Sequence, residues 1–335
     1  MNGKTGKRNS LLAAAWILIV LTLAVAGAPE GRAWAGTLNY RLKWIYNASV
    51  IGDLYASGKG YFRAAGLEVK VRPGGPERDA LRELELGYAD FGVASADQVI
   101  RAVAKGAPLV VVAQLFQVNP LQWLYRTGKG MIRKLDDLKG RTIGITYGKN
   151  DEIIMRTLLA KAGIGRGQVE FYSVRLDYTP FLRGKVDLWP VYANTQAVFL
   201  RDKLSRAGEE TALFVPGDFG VRFVANSVVT SEKLFKRNPE LVKRFVGALL
   251  AGWKAALDVK HQKEALAILR QVDRDTPLRI LKTQLEITRR LVMPRSGPPL
   301  GTIDFEGWRQ TERIMLEQGQ IKAPVKILSC LKPML

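Results

Sequence analysis

The segment VDLWPVYANTQ, residues 186–196, places aromatic rings and an asparagine directly after an apolar run. Trp189 and Tyr192 offer flat faces, and stacking on such faces contributes about 1 to 3 kcal/mol per nucleobase-like ring. Asn194 carries both hydrogen-bond donors and acceptors, which match a ring nitrogen beside an exocyclic amine. These residue types favour binding of a small heteroaromatic molecule. A plain structural explanation stays open, in which Trp189 belongs to the core and Asn194 caps the next helix.

Side chains for covalent or metal-assisted catalysis are scarce. The chain has one cysteine, Cys330, and one histidine, His261, which lies in the charged stretch DVKHQKEA. Neither follows a predicted strand, so the sequence does not support Cys–His chemistry or a His/Cys metal centre. Carboxylate-only catalysis stays open by composition, although no acid pair stands out. The sequence favours a binding protein without cofactor or metal over an enzyme.

Apolar strands alternate with amphipathic helices along much of the chain. The segments RLKWIYN, LEVKVR, DFGVA and PLVVVAQLF are typical of strands, by period-two alternation or a continuous apolar run. The same order starts again with TIGI, VEFYSV and VDLWPV, and a long helix then begins at Pro239, capped by Asn238. This alternation predicts an α/β protein with a mostly parallel sheet in each of two lobes.

Further candidate ligand contacts lie where predicted strands end, since ligands of α/β proteins bind beyond the carboxyl ends of the strands. Trp44 and Asn47 follow the first strand, and Gln114 ends the strand before a crossing between lobes. Ser95 begins a helix whose free N–H groups can hold a polar ligand, and Tyr147 starts a loop that can close over one. A core tryptophan, a turn asparagine and an N-cap serine remain simpler explanations for three of these residues.

The first 35 residues have the layout of a secretory signal peptide. Lys4, Lys7 and Arg8 precede an apolar run from Leu11 to Ala26, and the triplet AWA ends at residue 35. The run is 16 residues long, whereas a membrane-spanning helix needs about 20. We expect cleavage near Gly36 and a periplasmic protein. No cysteine follows the run, which argues against a lipoprotein, and one thiol cannot form an internal disulfide.

The expected mature chain is strongly basic, with 47 Lys and Arg against 30 Asp and Glu, a net charge of +17. Such a charge raises the alternative of a nucleic-acid-binding protein. The cationic residues are scattered beside acids, as in KLDDLKGR and SEKLFKRNPE, and form no basic stripe with interleaved aromatics. A solvated surface that attracts anions is therefore favoured, and we expect no nucleic acid as partner.

Seven segments in order resemble the periplasmic solute-binding proteins of ABC importers. They span about Arg41 to Asp258 and are WIYN, GKGYFRAAGLEVKV, GYADFGVA, AKGAPLVVVAQ, LDDLKGRTIGI, GKVDLWPVY and NPELVKRFVGALLAGWKAAL. Within that family the chain is similar to the branch that binds sulfonates, thiamine-pyrimidine precursors and related heterocycles. The WIYN segment, with Trp44 and Asn47, and the pair Tyr192 and Asn194 look like the pyrimidine-precursor members.

The resemblance implies a two-lobed, type II venus-flytrap fold with a ligand in the cleft between the lobes. We expect residues 36–124 and 227–335 to form the first lobe and residues 125–226 the second. The implied function is the substrate-binding component of an ABC import system. As a monomer it would capture a small heteroaromatic solute, such as a thiamine-pyrimidine precursor, and deliver it to the permease in the inner membrane.

Two alternatives accompany this expectation. A sulfonate or other organic anion is the rival ligand, because Arg41 and Arg222 can reach a cleft if the fold turns them inward. The resemblance also extends to eukaryotic thiamine-pyrimidine synthases, which share the fold but carry a cysteine-rich cluster and an active-site histidine. With only Cys330 and His261, this chain departs from that pattern.

Overall fold

The structure is a computed structural model that describes residues 36–75, 77–165, 167–175 and 177–334. The predicted signal peptide lies outside the described residues. The strands are β1 (Thr37–Arg41), β2 (Glu68–Arg72), β3 (Phe91–Ala94), β4 (Leu109–Gln114), β5 (Leu121–Arg126), β6 (Thr142–Ile145), β7 (Glu170–Ser173), β8 (Leu188–Tyr192), β9 (Thr211–Phe214) and β10 (Ser227–Ser231).

Helices lie between the strands and after the last one. They are α1 (Ile51–Gly58), α2 (Tyr61–Ala64), α3 (Ala80–Glu85), α4 (Ala96–Ala104), α5 (Asn150–Lys161), α6 (Thr179–Leu182), α7 (Gln196–Arg206), α8 (Glu232–Arg237), α9 (Pro239–Ala256), α10 (Gln262–Val272), α11 (Leu278–Val292) and α12 (Phe305–Glu317). A short 3-10 turn, Ala48–Val50, leads directly into α1. Within the described residues no helix is both long and apolar enough to cross a membrane.

Two mixed sheets of five strands form the framework, as the alternating pattern predicts. The first lobe contains the sheet β2-β1-β3-β10-β4, and the second lobe contains β7-β6-β8-β5-β9. In the first sheet only β10 runs antiparallel to its neighbours, and in the second sheet only β5 does. The α/β class and the two-lobed fold are therefore confirmed. The carboxyl ends of the parallel strands share one edge in each sheet.

Two short crossings connect these edges. Residues 115–120 lead from β4 to β5, and residues 215–226 lead from β9 to β10. Both crossings leave from the carboxyl end of a strand and arrive at the start of an antiparallel one, so the two edges face each other. All of β5 pairs within the second sheet, from Leu121 onward. The exact lobe boundaries at 124 and 227 stay a prediction.

The first strand differs from its prediction. RLKWIYN was expected to be extended, but β1 ends at Arg41 and residues 43–47 form bends. The neighbouring strand explains why: Leu42 N donates to Arg72 O over 2.9 Å, and the next residue of that strand is Pro73, which has no N–H to continue the ladder. The chain therefore leaves the sheet at the rim, and Trp44 lies in a loop.

Close helix packing supports this loop from below. α1 lies against α9, and a Cβ added at Gly52 would lie 1.9 Å from Cδ2 of Trp253. A Cβ at Gly252 would approach the Cβ of Ala56 to 2.4 Å. The predicted apolar stripe of α9, which includes Phe245 and Trp253, is fully buried. These contacts fix the start of α1, and with it the 3-10 turn, relative to the core.

Candidate ligand site

A buried polar cluster joins the two lobes where their edges meet. We call it the interlobe junction and define it by Lys43, Ser49, Tyr192, Asn194 and Thr288. Asn194 is 0 % exposed, and its Nδ2 donates to Ser49 Oγ over 3.0 Å and to Thr288 Oγ1 over 2.9 Å. One predicted site residue of the second lobe therefore bonds directly to the first.

The orientation of the Asn194 amide follows from its partners. Thr288 gives its hydroxyl proton to Gln284 O over 2.8 Å, so Thr288 Oγ1 can only accept from Asn194. The amide nitrogen must then face Thr288, and Oδ1 points elsewhere. Among the described residues, Oδ1 has no hydrogen-bond partner although it is buried. An acceptor left in this state costs about 1 to 3 kcal/mol, which makes it a candidate to receive a ligand N–H.

Asn47 organises the first-lobe side of the junction. It caps the 3-10 turn Ala48–Val50, and its Oδ1 accepts the backbone N–H of Ser49 over 2.8 Å. The cap holds Ser49, which is 7 % exposed, against Asn194. Trp44 lies on the loop before this turn with 41 % of its surface exposed, so its ring is free to meet a ligand.

Tyr192 completes the second-lobe side. It is the last residue of β8 and is half-buried. Lys43 Nζ lies 3.3 Å from Tyr192 Oη and 5.9 Å from the centre of the Tyr192 ring. The Tyr192 N–H donates to Gln196 Oε1 over 3.0 Å, which closes the turn into α7. The phenol ring therefore lies between the two lobes.

Trp189 lies in the core of the second lobe, which is the plain structural explanation left open for it, and its role as a ligand contact stays a prediction. β8 continues to Tyr192 rather than ending at Trp189, so the tryptophan is in mid-strand. Its side chain is 1 % exposed and lies 6.1 to 6.4 Å, between ring centres, from Tyr172, Tyr178 and Phe181. Because side chains alternate along a strand, Trp189 and Tyr192 face opposite sides of the sheet.

Ser95 serves as an N-cap, the simpler of the two explanations left open for it. It is 1 % exposed and forms a capping box with Gln98 at the start of α4. Its hydroxyl also donates to Asp97 Oδ1 over 2.5 Å. With these partners the hydroxyl is occupied, so Ser95 stabilises the edge without offering a free group to a ligand.

Gln114 braces the first crossing. Its Nε2 donates to Phe116 O over 3.1 Å, and its Oε1 accepts from Asp304 N over 3.1 Å. The side chain borders a cavity of about 740 Å3 between the two crossings and residues 294–306. We call this space the crossing cavity. Since both ends of the amide are bonded to the backbone, Gln114 is a positioning residue.

The remaining loop candidate, Tyr147, is 53 % exposed in the turn after β6. The acids behind this turn are occupied by its backbone: Asp151 accepts from Thr146 N over 2.6 Å, and Glu152 accepts from Gly148 N over 2.7 Å. Burial raises the pKa of Asp151 to about 6, partly offset by these hydrogen bonds. The start of α5 is therefore filled by the chain's own carboxylates.

The arginines of the anion hypothesis have structural partners. Arg41 is 6 % exposed and bonds to Glu83 over 2.7 Å and to Pro73 O over 2.6 Å. Arg222 is largely exposed, with Asp304 at 3.9 Å. Neither guanidinium belongs to the interlobe junction.

A buried acid lies beneath the junction loop. Tyr40 Oη donates to Asp53 Oδ1 over 2.6 Å, and both residues are at most 1 % exposed. Burial raises the pKa of Asp53 to about 7, while the bond from Tyr40 acts in the opposite direction. Tyr40 lies on β1 and Asp53 on α1, so this bond joins the two ends of the loop that carries Trp44 and Asn47.

Sequence reasoning missed Lys43, Ser49 and Thr288. Lys43 and Ser49 flank the WIYN segment, and their position beside a predicted site was the available signal. Thr288 lies on α11, about 94 residues beyond Asn194 along the chain, and no sequence pattern indicated that contact. Among the described residues, no three His, Cys, Asp or Glu side chains come together as metal ligands.

Two α/β lobes, joined by two crossings and meeting at a buried polar cluster, define the chain as having the periplasmic-binding-protein fold. Among solved structures, the periplasmic aliphatic sulphonate binding protein from Escherichia coli superimposes with a TM-score of 0.68 at 17 % identity, over 87 % of this chain and 90 % of that one. Residues 47–265 match the family described as NMT1/THI5 like, and the chain belongs to that family.

Curated relatives include proteins named for binding. The riboflavin-binding protein of Chloroflexus aurantiacus is 28 % identical over 316 residues, which cover 90 % of this chain and 86 % of the relative. The formylaminopyrimidine-binding protein of Halalkalibacterium halodurans is 26 % identical over 297 residues, 86 % of this chain and 87 % of the relative. An enzyme also matches: a 4-amino-5-hydroxymethyl-2-methylpyrimidine phosphate synthase of Saccharomyces cerevisiae is 24 % identical over 244 residues, 67 % of this chain and 72 % of the relative.

Proposed function

We propose that this protein is the substrate-binding component of an ABC import system, and that it captures a small heteroaromatic solute, such as a thiamine-pyrimidine precursor, at the interlobe junction. The observation that carries the proposal is the position of Asn194. It lies two residues after β8, is fully buried between the lobes and bonds to Ser49 and Thr288. Its acceptor oxygen has no partner among the described residues.

The chemistry of the junction fits a flat nitrogen heterocycle. Tyr192 and Trp44 provide aromatic faces on opposite lobes, and stacking on each would contribute about 1 to 3 kcal/mol. The free Oδ1 of Asn194 can accept from an exocyclic amine or ring N–H, and its Nδ2 can turn from a hydroxyl to a ring nitrogen. A solute that satisfies groups from both lobes favours the closed arrangement, because it binds that state better than the open one.

The relatives support this class of solute. Riboflavin and formylaminopyrimidine, which give two of the relatives their names, are both nitrogen heterocycles. The likeness to the sulphonate-binding protein concerns the fold. Arg41 is paired with Glu83, whereas Arg222 is largely exposed and lines the crossing cavity, away from the junction. Synthase activity has less support in this chain, since His261 is half-exposed beside Glu264 and Cys330 lies far along the chain in a C-terminal turn.

The transport context completes the proposal. The signal-like first 35 residues would direct the chain to the periplasm, where a monomer would bind solute and present its closed form to an inner-membrane permease. Closure changes the relative positions of the lobe surfaces, which a permease can recognise.

The decisive experiment is mass spectrometry of small molecules released on denaturing freshly purified protein. We expect a heteroaromatic solute at up to one equivalent, and its rebinding to the emptied protein by calorimetric titration. Incubation with excess solute should return it unchanged. A chemically altered product in amounts above one per protein would establish an enzyme instead, and release of an aliphatic sulfonate would replace the proposed ligand class.

A further inference from the structure

Lys43 differs from the other cations at the facing edges of the lobes. Its side chain is half-buried, and its ammonium contacts the Tyr192 phenol at 3.3 Å. Among the described residues, no carboxylate oxygen lies within 4.0 Å of Nζ, whereas Arg41, two positions earlier, is paired with Glu83. A partly desolvated ammonium without a counter-charge is unfavourable unless another group satisfies it.

The backbone holds Lys43 in a defined position. Leu42 N bonds to Arg72 O over 2.9 Å, and Gly74 N bonds to Trp44 O over 3.0 Å. Gly74 also packs so closely that an added Cβ would lie 2.1 Å from Leu42 O and 2.6 Å from the carbonyl carbon of Lys43. The ammonium therefore extends from a fixed rim towards the second lobe.

Several carboxylates that follow strand ends in the two lobes are already used. Asp151 and Glu152 accept loop N–H groups of the second lobe, and Asp97 pairs with Arg101. An ammonium has three N–H donors, and Tyr192 accounts for one of them. The other two N–H groups of the ammonium can therefore donate to an acceptor placed beside the Tyr192 ring.

We infer that Lys43 is a specificity-determining residue, which selects solutes that present a hydrogen-bond acceptor to the first lobe next to the ring stacked on Tyr192. The acceptor is a ring carbonyl oxygen, a ring nitrogen or an anionic group attached to the ring. This inference rests on the proposed function and adds to it: Asn194 Oδ1 receives a donor of the solute, and Lys43 supplies a donor to it. The edge of the solute ring must therefore present both a hydrogen-bond donor and a hydrogen-bond acceptor.

The test compares K43M, K43R and K70M with the wild type. Lys70 is an exposed residue of β2 in the same lobe, so K70M removes the same charge without touching the junction. The probes are riboflavin, 4-amino-5-hydroxymethyl-2-methylpyrimidine and the phosphate ester of that pyrimidine, each measured by calorimetric titration beside a melting curve. For every probe that the wild type binds, we expect K43M to raise Kd about tenfold to a hundredfold. K70M should change Kd less than twofold, and K43R should recover most of the loss.

The outcomes separate the inference from the proposed function. An equal loss for the pyrimidine and its phosphate would assign Lys43 to a ring acceptor, and a larger loss for the phosphate would assign it to the anionic group. Wild-type affinity in K43M, or equal losses in K43M and K70M, would overturn the role of Lys43 while the proposed function stands. A K43R variant as weak as K43M would also overturn it. A wild type that binds none of the probes, and releases no heteroaromatic solute, would overturn the proposed function and this inference with it.

Discussion

The interlobe junction and the crossing cavity both lie between the lobes, but their polar groups are used in opposite ways. Around the cavity, Gln114 and Asn119 are bonded at both ends of their amides to the backbone. At the junction, Asn194 Oδ1 has no partner among the described residues and Lys43 has no carboxylate. These two amides at the cavity are thus satisfied, while the junction keeps unused hydrogen-bonding capacity. Asn226 Oδ1, at the end of the second crossing, is likewise buried without a partner among the described residues. We therefore expect the ligand to bind at the junction rather than in the crossing cavity.

The largest expected effect is on stability at Trp189, and it tests whether this residue belongs to the core or to the ligand site. We expect Trp189→Ala to lower the free energy of unfolding by about 3 to 5 kcal/mol, as for a core aromatic, with little change in Kd for a bound pyrimidine probe. Urea unfolding and calorimetric titration would measure the two quantities. A loss of affinity without a loss of stability would return Trp189 to the ligand site.

The buried Asp53 makes the free energy of unfolding depend on pH, which tests the packing beneath the junction. Its pKa of about 7 exceeds the ordinary aspartate value of about 3.9, so the folded state binds the proton more tightly. Its contribution to stability is therefore full below about pH 4 and is lost as the pH rises to about 7, by at most about 1.4 kcal/mol per pH unit.

Asp53→Asn should remove this slope. We expect the free energy of unfolding of the variant, relative to wild type, to increase between pH 5 and pH 7 in denaturant titrations. Asp151→Asn, in the second lobe, is the matched comparison, because the pKa of about 6 of that residue predicts a smaller total effect that ends at lower pH. A difference between wild type and Asp53→Asn that is constant with pH would contradict the buried, proton-binding role.

Variants of Gln114 and Asn194 test in one experiment which of the two regions binds the ligand. Gln114→Met leaves a backbone carbonyl and N–H without partners, so stability should fall by about 1 to 3 kcal/mol while Kd changes little. Asn194→Leu should weaken binding of the pyrimidine probe by about 1 to 3 kcal/mol, because ligand edge groups lose their partner. Melting curves and calorimetric titrations of both variants decide this, and the reverse result would make the crossing cavity the binding site.

Tyr192→Ala tests whether the Tyr192 ring stacks on the ligand. Loss of stacking should weaken binding by about 1 to 3 kcal/mol, roughly fivefold to more than a hundredfold. Because Tyr192 is only half-buried, the melting temperature should fall less than for Trp189→Ala. Tyr88→Ala is the control, since Tyr88 is 68 % exposed before β3, at the opposite edge of the first sheet. Equal affinities in the two variants would remove the heteroaromatic argument.

Sequence patterns predicted the elements well because the strands and helices alternate with clear periodicity. The sheet pair, the start of α9 at Pro239 and its buried stripe all follow from local patterns, although the side chain of Asn238 makes no capping hydrogen bond. Tyr192 and Asn194 also lie between the lobes, since Tyr192 ends a central strand and Asn194 follows it. Their role as ligand contacts stays a prediction, as do the roles of Trp44, Asn47 and Tyr147.

The errors have a common physical cause, which is that pairing partners decide where a strand ends. β8 continues beyond Trp189 because β5 pairs with it up to Tyr192, and β1 ends at Arg41 because Pro73 stops its neighbour. Asp304, which bonds to Gln114, and Ser49 and Thr288, which bond to Asn194, lie 94 to 190 residues from these amides along the chain. Such contacts carry no local signal, so Thr288 and the bracing role of Gln114 required the structure.

The contact between Gly52 and Trp253 also constrains how this chain can diverge. A Cβ at position 52 would lie 1.9 Å from the indole of Trp253, so these two positions cannot vary independently. Any side chain at position 52 fits only after Trp253 has been replaced by a smaller residue. The first substitution, at position 253, opens a void that the second, at position 52, then fills. The single variant with only the first substitution is therefore less stable than either the starting protein or the double variant. We therefore expect the contact between α1 and α9 to change less readily than the loop above α1.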